Sequence, residues 1–334
     1  MIYLFTLLII LVILINGWTD APNAIAGCVS TRALSPRSAL VLAAICNFAG
    51  TVLMALISPQ VADTVYNIVD VGDDPKSALS ALTAGLCSVV IWASVAFRFG
   101  LPTSESHALI SGITGAVIAM RMSLDAINLR EWLLVIIGLA ATTLLPFLLG
   151  FLFNAVLNKF FQKCNRRSVM SYFLRAQRFG AASSALLHGA QDSQKFMGIY
   201  LLGLALYRGD AARQMRSIPL YVLLTCSVVM TLGTALGGAK IIKKVGCDMT
   251  DLDAVGGSAS DAASSLVLLG CSLLGIPAST THSKACAMMG TGATKNRGVD
   301  LSIVCQIITA WLLTFPICAS LGFILSFITS ALIS

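Results

Sequence analysis

The feature that most constrains the fold is a succession of long apolar stretches separated by short polar connections. About 20 apolar residues in a helix cross the hydrocarbon core of a membrane. At that depth the backbone must satisfy its own polar groups, as a helix does. The sequence therefore predicts an all-α polytopic integral membrane protein with about 10–12 membrane segments. The candidate stretches are 1–31, 38–58, 79–97, 99–120, 131–157, 180–207, 217–239, 258–274, 275–294 and 301–333.

Composition supports a membrane protein and excludes several other classes. Of the 334 residues, 57% are hydrophobic and 11% are charged, whereas soluble domains carry about 25% charged residues. The net charge of +7 lies largely in short connections, so it indicates membrane topology and no nucleic-acid partner. Most of the ten cysteines lie in apolar stretches without CxxC spacing. No cofactor and no zinc site are expected.

A short polar motif occurs twice, about half the chain apart. The first copy includes Gly17, Asp20 and Asn23, and the second includes Gly189 and Asp192. Each copy lies in an apolar stretch, and we expect helix breaks at 16–23 and 188–195. Matched interruptions in two halves of a chain point to the binding site of a transporter, and an acid at membrane depth usually has a function. A purely structural salt bridge between Asp192 and Lys195 is the alternative.

Further pairs of segments extend this duplication. Residues 100–107 pair with 275–282, and 149–151 pair with 321–323. The offsets are 172 for the aspartates, 175 for the histidines His107 and His282, and 172 for the last pair. Near-constant offsets predict structural repeats. We expect a first repeat over 1–157, a linker over 158–179 and a second repeat over 180–334.

The distribution of charge predicts the orientation of these repeats. The linker is basic, which places it in the cytoplasm, and loop 62–77 is acidic, which places it outside. Five crossings per half would then invert the second repeat and put both termini outside. Loop 208–216, which carries three arginines, is discordant with this topology. Segments 99–120 and 275–294 either cross the membrane or form re-entrant hairpins.

The polar residues near these motifs suit ion binding. Carboxylate, hydroxyl and carbonyl oxygens are ligands for hard cations, and helix starts rich in Ser and Thr suit an oxyanion. Half-helices are expected to start near residues 103 and 279, after Pro102 and Pro277. None of the four motifs contains an arginine. A bound anion would face acids, and co-bound Na⁺ or H⁺ is the simplest compensation.

With these residues in view, the chain resembles the inorganic phosphate transporter (PiT) family. The motif Gly17-x-x-Asp20-x-x-Asn23 is similar to the first signature of that family, GxNDxxN. Residues 188–198, His-Gly-Ala-Gln-Asp-Ser-Gln-Lys-Phe-Met-Gly, resemble its second signature, HGxNDxQKxMG, and residues 275–282 resemble its G-x-P-x-STTH element. Thr19 and Gln191 stand where the family usually has Asn, and Glu105-Ser106 replaces Thr-Thr.

The resemblance implies inverted repeats, a homodimer, and import of phosphate with Na⁺ or H⁺ across the plasma membrane, which is the inner membrane in a Gram-negative cell. The expected phosphate ligands are Asn23, Thr103, Ser104, Ser106, Gln194, Ser279, Thr280 and Thr281. The expected ligands of the coupling cation are Asp20, Asp192, Asn23, Ser104 and Ser279. Supporting residues are Glu105, His107, His188, Lys195 and His282.

Three alternatives to a phosphate symporter follow from the same residues. The scaffold could carry sulfate or another tetrahedral oxyanion. It could also be a passive anion channel. A third alternative is an intramembrane hydrolase that pairs Ser104 or Ser279 with the histidine three residues on, although the symmetric duplication of that pair favours transport over an enzyme.

Overall fold

The computed structural model describes residues 1–209, 217–295 and 298–333, and within them the fold is all-helical, as predicted. The only extended pairing in these residues is two isolated β-bridges. The helices are α1 (Ile2–Thr19), α2 (Ala21–Ser30), α3 (Pro36–Ile57), α4 (Gln60–Tyr66), α5 (Pro75–Arg98), α6 (Glu105–Arg121), α7 (Leu129–Phe161), α8 (Arg166–Arg208), α9 (Leu220–Leu236), α10 (Ala239–Lys243), α11 (Ala254–Leu273), α12 (Thr280–Gly292) and α13 (Leu301–Ile333).

Six helical stretches in the described residues are long and apolar enough to cross a membrane. A seventh is obtained if Leu220–Leu236 and Ala239–Asp248, which are bent by 66°, count as one span. This is fewer than the 10–12 segments predicted. The shortfall has a physical cause, because α6 has 17 residues and α12 has 13, which at about 1.5 Å per residue is shorter than the hydrocarbon core. Helix α8 is the third predicted segment that is not counted among these spans, because it is long enough but carries charged residues.

Only one of the two predicted helix breaks is present. The break at 16–23 is confirmed, since α1 ends at Thr19 and α2 begins at Ala21. The break at 188–195 is wrong, because α8 continues without interruption for 43 residues. Pro22 lies in the first turn of α2 and lacks the N–H that would continue the helix. At the matching position of the second copy stands Gln194, which keeps its N–H.

The predicted linker over 158–179 is mostly helical rather than a loop. Helix α7 continues to Phe161 and α8 begins at Arg166, so that only 162–165 connect them. Lys and Arg are good helix formers, and the basic residues therefore extend the two helices. The discordant loop 208–216 lies outside the described residues from position 210 onward.

The two halves of the chain pack against each other through matching close contacts. Gly150 of α7 lies against the carbonyl oxygen of Ala287 in α12, and Gly322 of α13 lies against that of Gly112 in α6. A methyl group at either glycine would overlap that oxygen. The two contacts are equivalent, because Gly150 and Gly322 are offset by 172 and Gly112 and Ala287 by 175. The last helix of each half thus packs on the short helix of the other half.

A second pair of contacts shows the same duplication. Gly17 of α1 lies against the carbonyl oxygen of Met230 in α9, and Gly189 of α8 lies against that of Asn47 in α3. Small residues at such crossings let helix backbones approach closely in a membrane. The crossing of α1 with α9 therefore corresponds to the crossing of α8 with α3, and both join opposite halves of the chain.

The two β-bridges, one in each half of the chain, lie at opposite ends of α7. A β-bridge joins Val69 to Ile127, directly before α7 begins. The second bridge joins Thr250 to Val299 and lies beside Gly292. Near the other end of α7, the amide of Asn154 donates to the carbonyl of Thr291. The bridges are thus separated by about 40 Å along α7.

We call the end with the first bridge the acidic end and the end with turn 162–165 the basic end. At the acidic end Asp74 caps α5, accepting hydrogen bonds from the N–H groups of Lys76 and Ser77. The Ser77 hydroxyl and these N–H groups lower the pKa of the Asp74 carboxyl. The acidic end therefore keeps this negative charge at neutral pH.

Candidate functional site

Two short helices meet tip to tip in the interior of the protein. Residues 101–104 and 276–279 are not helical and lead into α6 and α12. Ser104 accepts a hydrogen bond from the N–H of His107, and Ser279 accepts one from the N–H of His282. The Ser279 hydroxyl donates to Ser104 Oγ at 3.0 Å. The predicted helix starts near 103 and 279 are confirmed, and two helix N-termini, which attract anions, converge here.

The first carboxylate cluster contains Asp20 and lies beside this junction. Asp20 accepts from the Thr281 hydroxyl at 2.8 Å and from the Asn16 amide at 3.1 Å. The Asn23 amide also donates to Thr281 Oγ1, at 3.1 Å. Glu105 accepts from the hydroxyl of the neighbouring Thr19 at 2.6 Å. Among the described residues, neither Asp20 nor Glu105 forms an ion pair.

The second cluster contains Asp192 and has its own cation. Lys195 Nζ lies 2.7 Å from Asp192 Oδ1 and also donates to Ser106 Oγ, at 2.7 Å, and to the Ala278 carbonyl. On the other oxygen, Asp192 contacts His188 Nδ1 at 3.2 Å and accepts from Thr280 Oγ1 at 3.1 Å. The salt bridge that stood as the alternative reading is therefore present, because positions three apart on a continuous helix are neighbours.

One amide group joins the two clusters. Asn16 Nδ2 lies 3.1 Å from Asp20 Oδ2 and 3.4 Å from Asp192 Oδ2. The repeated aspartates, 172 residues apart, therefore share one site, as the duplication predicts. The site also holds Glu105, so that three carboxyl groups are matched by the single ammonium of Lys195 among the residues described.

Two buried amide oxygens in this site, Asn16 Oδ1 and Asn23 Oδ1, lack a hydrogen-bond partner among the described residues. The carboxyl groups of Asp20 and Glu105 lie within hydrogen-bonding reach of each other. Buried polar atoms are nearly always paired, so two free amide oxygens beside two carboxyl groups fit a cation, for which amide and carboxylate oxygens are suitable ligands. Within the described part of the chain, no group of three His, Cys, Asp or Glu side chains is arranged to hold a metal ion. Neutral oxygens would therefore complete any cation site.

Two of the predicted ligands do not join the site as donors. Gln194 donates to the carbonyl of Ser58 and accepts from the N–H of Ala62, so that it holds the connection between α3 and α4 instead. Thr103 is buried beside Ser104, but in the described structure its side chain makes no hydrogen bond. We therefore leave both side chains out of the proposed substrate site.

Two residues outside the expected ligand set position the site: Asn16, which was missed in the sequence, and Gln191, which stands where the family usually has Asn. Asn16 lies four residues before Asp20, on the same face of α1, and that spacing could have identified it. Gln191 donates to Ser272 Oγ at 2.9 Å and accepts from the N–H of Ala278 at 3.2 Å. It thereby fixes the non-helical residues that lead into α12. No local signal distinguishes Gln191 from Gln194.

The histidines take different positions. His188 contacts Asp192 and the hydroxyl of Thr280. The ring of His107 packs against that of His282, with centroids 4.8 Å apart, and His282 packs on Trp311 at 3.8 Å. In the described structure the imidazoles of His107 and His282 do not bond the serines three residues before them, so the serine–histidine pair of a hydrolase is not formed.

Comparison with known sequences agrees with this geometry. Residues 16–174 and 158–322 match the sequence profile of the phosphate transporter family. The chain belongs to this family. It is 33% identical over 315 residues to a probable low-affinity inorganic phosphate transporter of Bacillus subtilis, with 94% of this chain and 92% of that protein covered. A protein with the same description from Rhizobium meliloti is 32% identical over 307 residues, covering 91% and 89%.

A solved structure shares the fold. It is described as the sodium-dependent phosphate transporter, and it superimposes with a TM-score of 0.83 over 99% of both chains at 20% identity. The relatives of this chain are transporters, and this family member is accordingly a multi-pass membrane protein and not an enzyme.

Proposed function

We propose that this phosphate transporter imports inorganic phosphate by symport with Na⁺. The observation that carries the proposal is the contact between Ser104 and Ser279, which brings two helix N-termini together beside Asp20. The Asp20 carboxylate has no cationic side chain as a partner among the described residues. An anion site and a cation site are then adjacent. Each ligand would lower the electrostatic cost of binding the other.

Phosphate would bind where the two helices start. Hydroxyl groups of Ser104, Ser279 and Thr280 would donate to its oxygens, with the N–H groups of the first turns of α6 and α12. Ser106 lies two residues after Ser104, and Thr281 lies two residues after Ser279. Both side chains would complete the set of phosphate ligands. Half-helices whose positive ends face an anion are a recurring arrangement in secondary transporters.

The coupling cation would bind at Asp20. This carboxylate has no ammonium partner among the described residues, whereas Asp192 is already paired with Lys195. Asn23 Oδ1 and Asn16 Oδ1 lack hydrogen-bond partners there and would supply further ligands. Sodium is favoured over a proton by these neutral oxygens and by the description of the structural neighbour as sodium-dependent.

The transport cycle would use two inverted repeats. Each half packs on the other through a matching helix contact, and the two β-bridges lie at opposite ends of α7. In this arrangement a central site is exposed alternately to the two faces of the membrane. We propose a homodimer in the plasma membrane, with both termini outside and the basic end in the cytoplasm.

Purified protein in proteoliposomes tests the proposal. Radiolabelled phosphate should accumulate when an inward Na⁺ gradient is imposed, and unlabelled phosphate should compete better than sulfate at equal concentration. If a pH gradient without Na⁺ drives uptake equally well, the coupling ion is H⁺ and not Na⁺. If sulfate competes more strongly than phosphate, the transported oxyanion is sulfate. Uptake that needs no cation and does not saturate would support a passive anion channel instead.

A further inference from the structure

A second buried ion pair lies outside the site described above. Lys284 of α12 pairs with Asp261 of α11, and both side chains are almost completely buried. By the offset of 175 that relates the two hairpins, the corresponding residues of the first half are Leu109 and Leu86. Those leucines are fully buried in an apolar cluster. The ion pair therefore breaks the duplication that the rest of the site obeys.

A cavity of about 10 Å³, the size of one water molecule, lies between Lys284 and the central site. Ser184 precedes His188 along α8, which begins at the basic end, and Lys284 follows Thr280 by about one helical turn toward Thr291. The cavity thus extends from the central site toward the basic end. It is lined by Asp20, Asn23, Ala24, Ser184, His188, Ser264, Leu268, Thr280 and Lys284.

The cavity is closed toward the basic end by packed polar side chains. The carboxylate of Asp261 lies against Gly180 of α8, where any larger residue would overlap it. One turn closer to the basic end on the same helix, Gln177 fills the space beside Gly257 and accepts a hydrogen bond from Thr31 at 2.6 Å. Of the described residues that line the cavity, Lys284 is the one cation.

We propose that Lys284 forms a second anion-binding site, which binds phosphate after the ion has left the central site and moves toward the basic end. The inference rests on the proposed function. Asp261 holds the ammonium group in place between transport events, and its Oδ2 lacks a hydrogen-bond partner among the described residues. The flexible four-carbon stem of lysine lets the ammonium group turn from Asp261 to an anion that enters when the cavity widens during transport.

The asymmetry of the two hairpins supports this role. Phosphate that leaves the central site loses the N-termini of α6 and α12, and on the side of the basic end Lys284 replaces part of that attraction. On the side of the acidic end the equivalent positions are leucines, which cannot bind an anion. The outward and inward routes would therefore differ in chemistry, although the repeats are alike in fold.

The sharpest test replaces the ion pair of the second hairpin by the residues found at the matching positions of the first. A double variant, Asp261→Leu with Lys284→Leu, replaces the pair by residues found at the matching positions, and such replacement of a buried ion pair is often neutral for stability. Equilibrium binding of radiolabelled phosphate to the purified variant in Na⁺ should stay within about twofold of wild type, whereas uptake into proteoliposomes should fall by about tenfold or more. Leu109→Met in the first hairpin is the matched control and should leave uptake unchanged.

Single variants keep the test decisive if the double variant does not fold. Lys284→Arg should retain most of the uptake because it keeps the charge, and Lys284→Gln should lose it while still binding phosphate. Wild-type uptake by the double variant, or equal uptake by the Arg and Gln variants, would overturn the inference and leave the proposed function intact. Absence of Na⁺-driven phosphate uptake by the wild-type protein would instead overturn the proposed function, and the inference with it.

Discussion

The hydroxyl oxygens of Ser104 and Ser279 lie 3.0 Å apart, although the two residues are 175 positions apart in the chain. Each serine caps the helix that follows it, and each begins a helix at the matching position of its half. The contact therefore lies where the two halves are related to one another. A substrate held at this point would contact equivalent groups from both halves.

The caps give a first prediction. Ser104→Ala and Ser279→Ala should each lower the stability of the protein by about 1 kcal/mol through loss of the cap, and each should also raise the KM for phosphate uptake. Ser35→Ala is the matched control, because Ser35 caps α3 in the same way but is exposed and lies outside the motifs. It should lower the melting temperature and leave KM unchanged. An equal KM for all three variants would contradict a role of the two serines in binding.

The two repeated aspartates should respond differently to the same change. Asp20→Asn removes no ion pair among the described residues, so the melting temperature in detergent should change little while Na⁺-dependent uptake is lost. Asp192→Asn leaves Lys195 buried without its carboxylate, and should lower the free energy of unfolding by about 3–5 kcal/mol.

A double variant separates these effects. Asp192→Asn combined with Lys195→Met removes both charges and should recover part of the stability without recovering uptake. Thermal unfolding and uptake are measured on the same preparations. Equal melting temperatures for Asp20→Asn and Asp192→Asn would show that the ion pair with Lys195 contributes no stability.

The close helix crossing between α3 and α8 gives a third prediction. A methyl group at Gly50 would overlap the carbonyl oxygen of Leu186, so Gly50→Ala should destabilise the protein by about 1–3 kcal/mol, as overpacking does. Gly270 of α11 has no neighbour within 4 Å of the position a methyl group would take. Gly270→Ala should therefore leave the melting temperature unchanged or raise it slightly. Indistinguishable melting temperatures would argue against the close approach of α3 and α8.

Membrane topology can be tested with a native reporter. Cys164 is exposed in the turn between α7 and α8, so a variant in which the other exposed cysteines, Cys247 and Cys305, are replaced reports on the basic end. In the same background with Cys164 also replaced, Lys76→Cys reports on the acidic end. Lys76 is exposed, and it is a better position than Gly72, whose φ of +68° disfavours a side chain.

An impermeant thiol reagent added to intact cells should label the cysteine at position 76 directly. Cys164 should react only after permeabilisation, because the Lys and Arg residues around it disfavour translocation during insertion. Labelling of both cysteines from one side would mean an even number of crossings in between, and the inverted repeats would have to be abandoned.

Local chemistry explains which parts of the structure could be predicted. The starts of α6 and α12 follow from a proline and a serine within a few residues of each, and the break before α2 follows from Pro22. The duplication of polar motifs was enough to predict that Asp20 and Asp192 lie in one site. These features depend on neighbours in sequence or on the spacing between repeats.

The remainder depends on contacts between distant parts of the chain. Helix α8 carries Asp192 and Lys195 at its buried centre, where groups from other elements, such as Ser106, Thr280 and Ala278, satisfy both side chains. The sequence of α8 alone contains nothing that indicates those partners. The separate uses of Gln191 and Gln194 are likewise decided by α12 and by the connection before α4, and neither could be read from the motif they share.

The packing of α13 on α6 has a consequence for the order of synthesis. Gly322, in a helix that is made after the whole first half, lies against the carbonyl of Gly112 in the first half. The N-terminal half therefore cannot complete its own interior while it is being made, although domains generally fold as units during synthesis. The face of α6 that packs on α13 therefore stays uncovered in the bilayer until the 33 residues of α13 have been inserted. Closure of the first half would then depend on synthesis of the second.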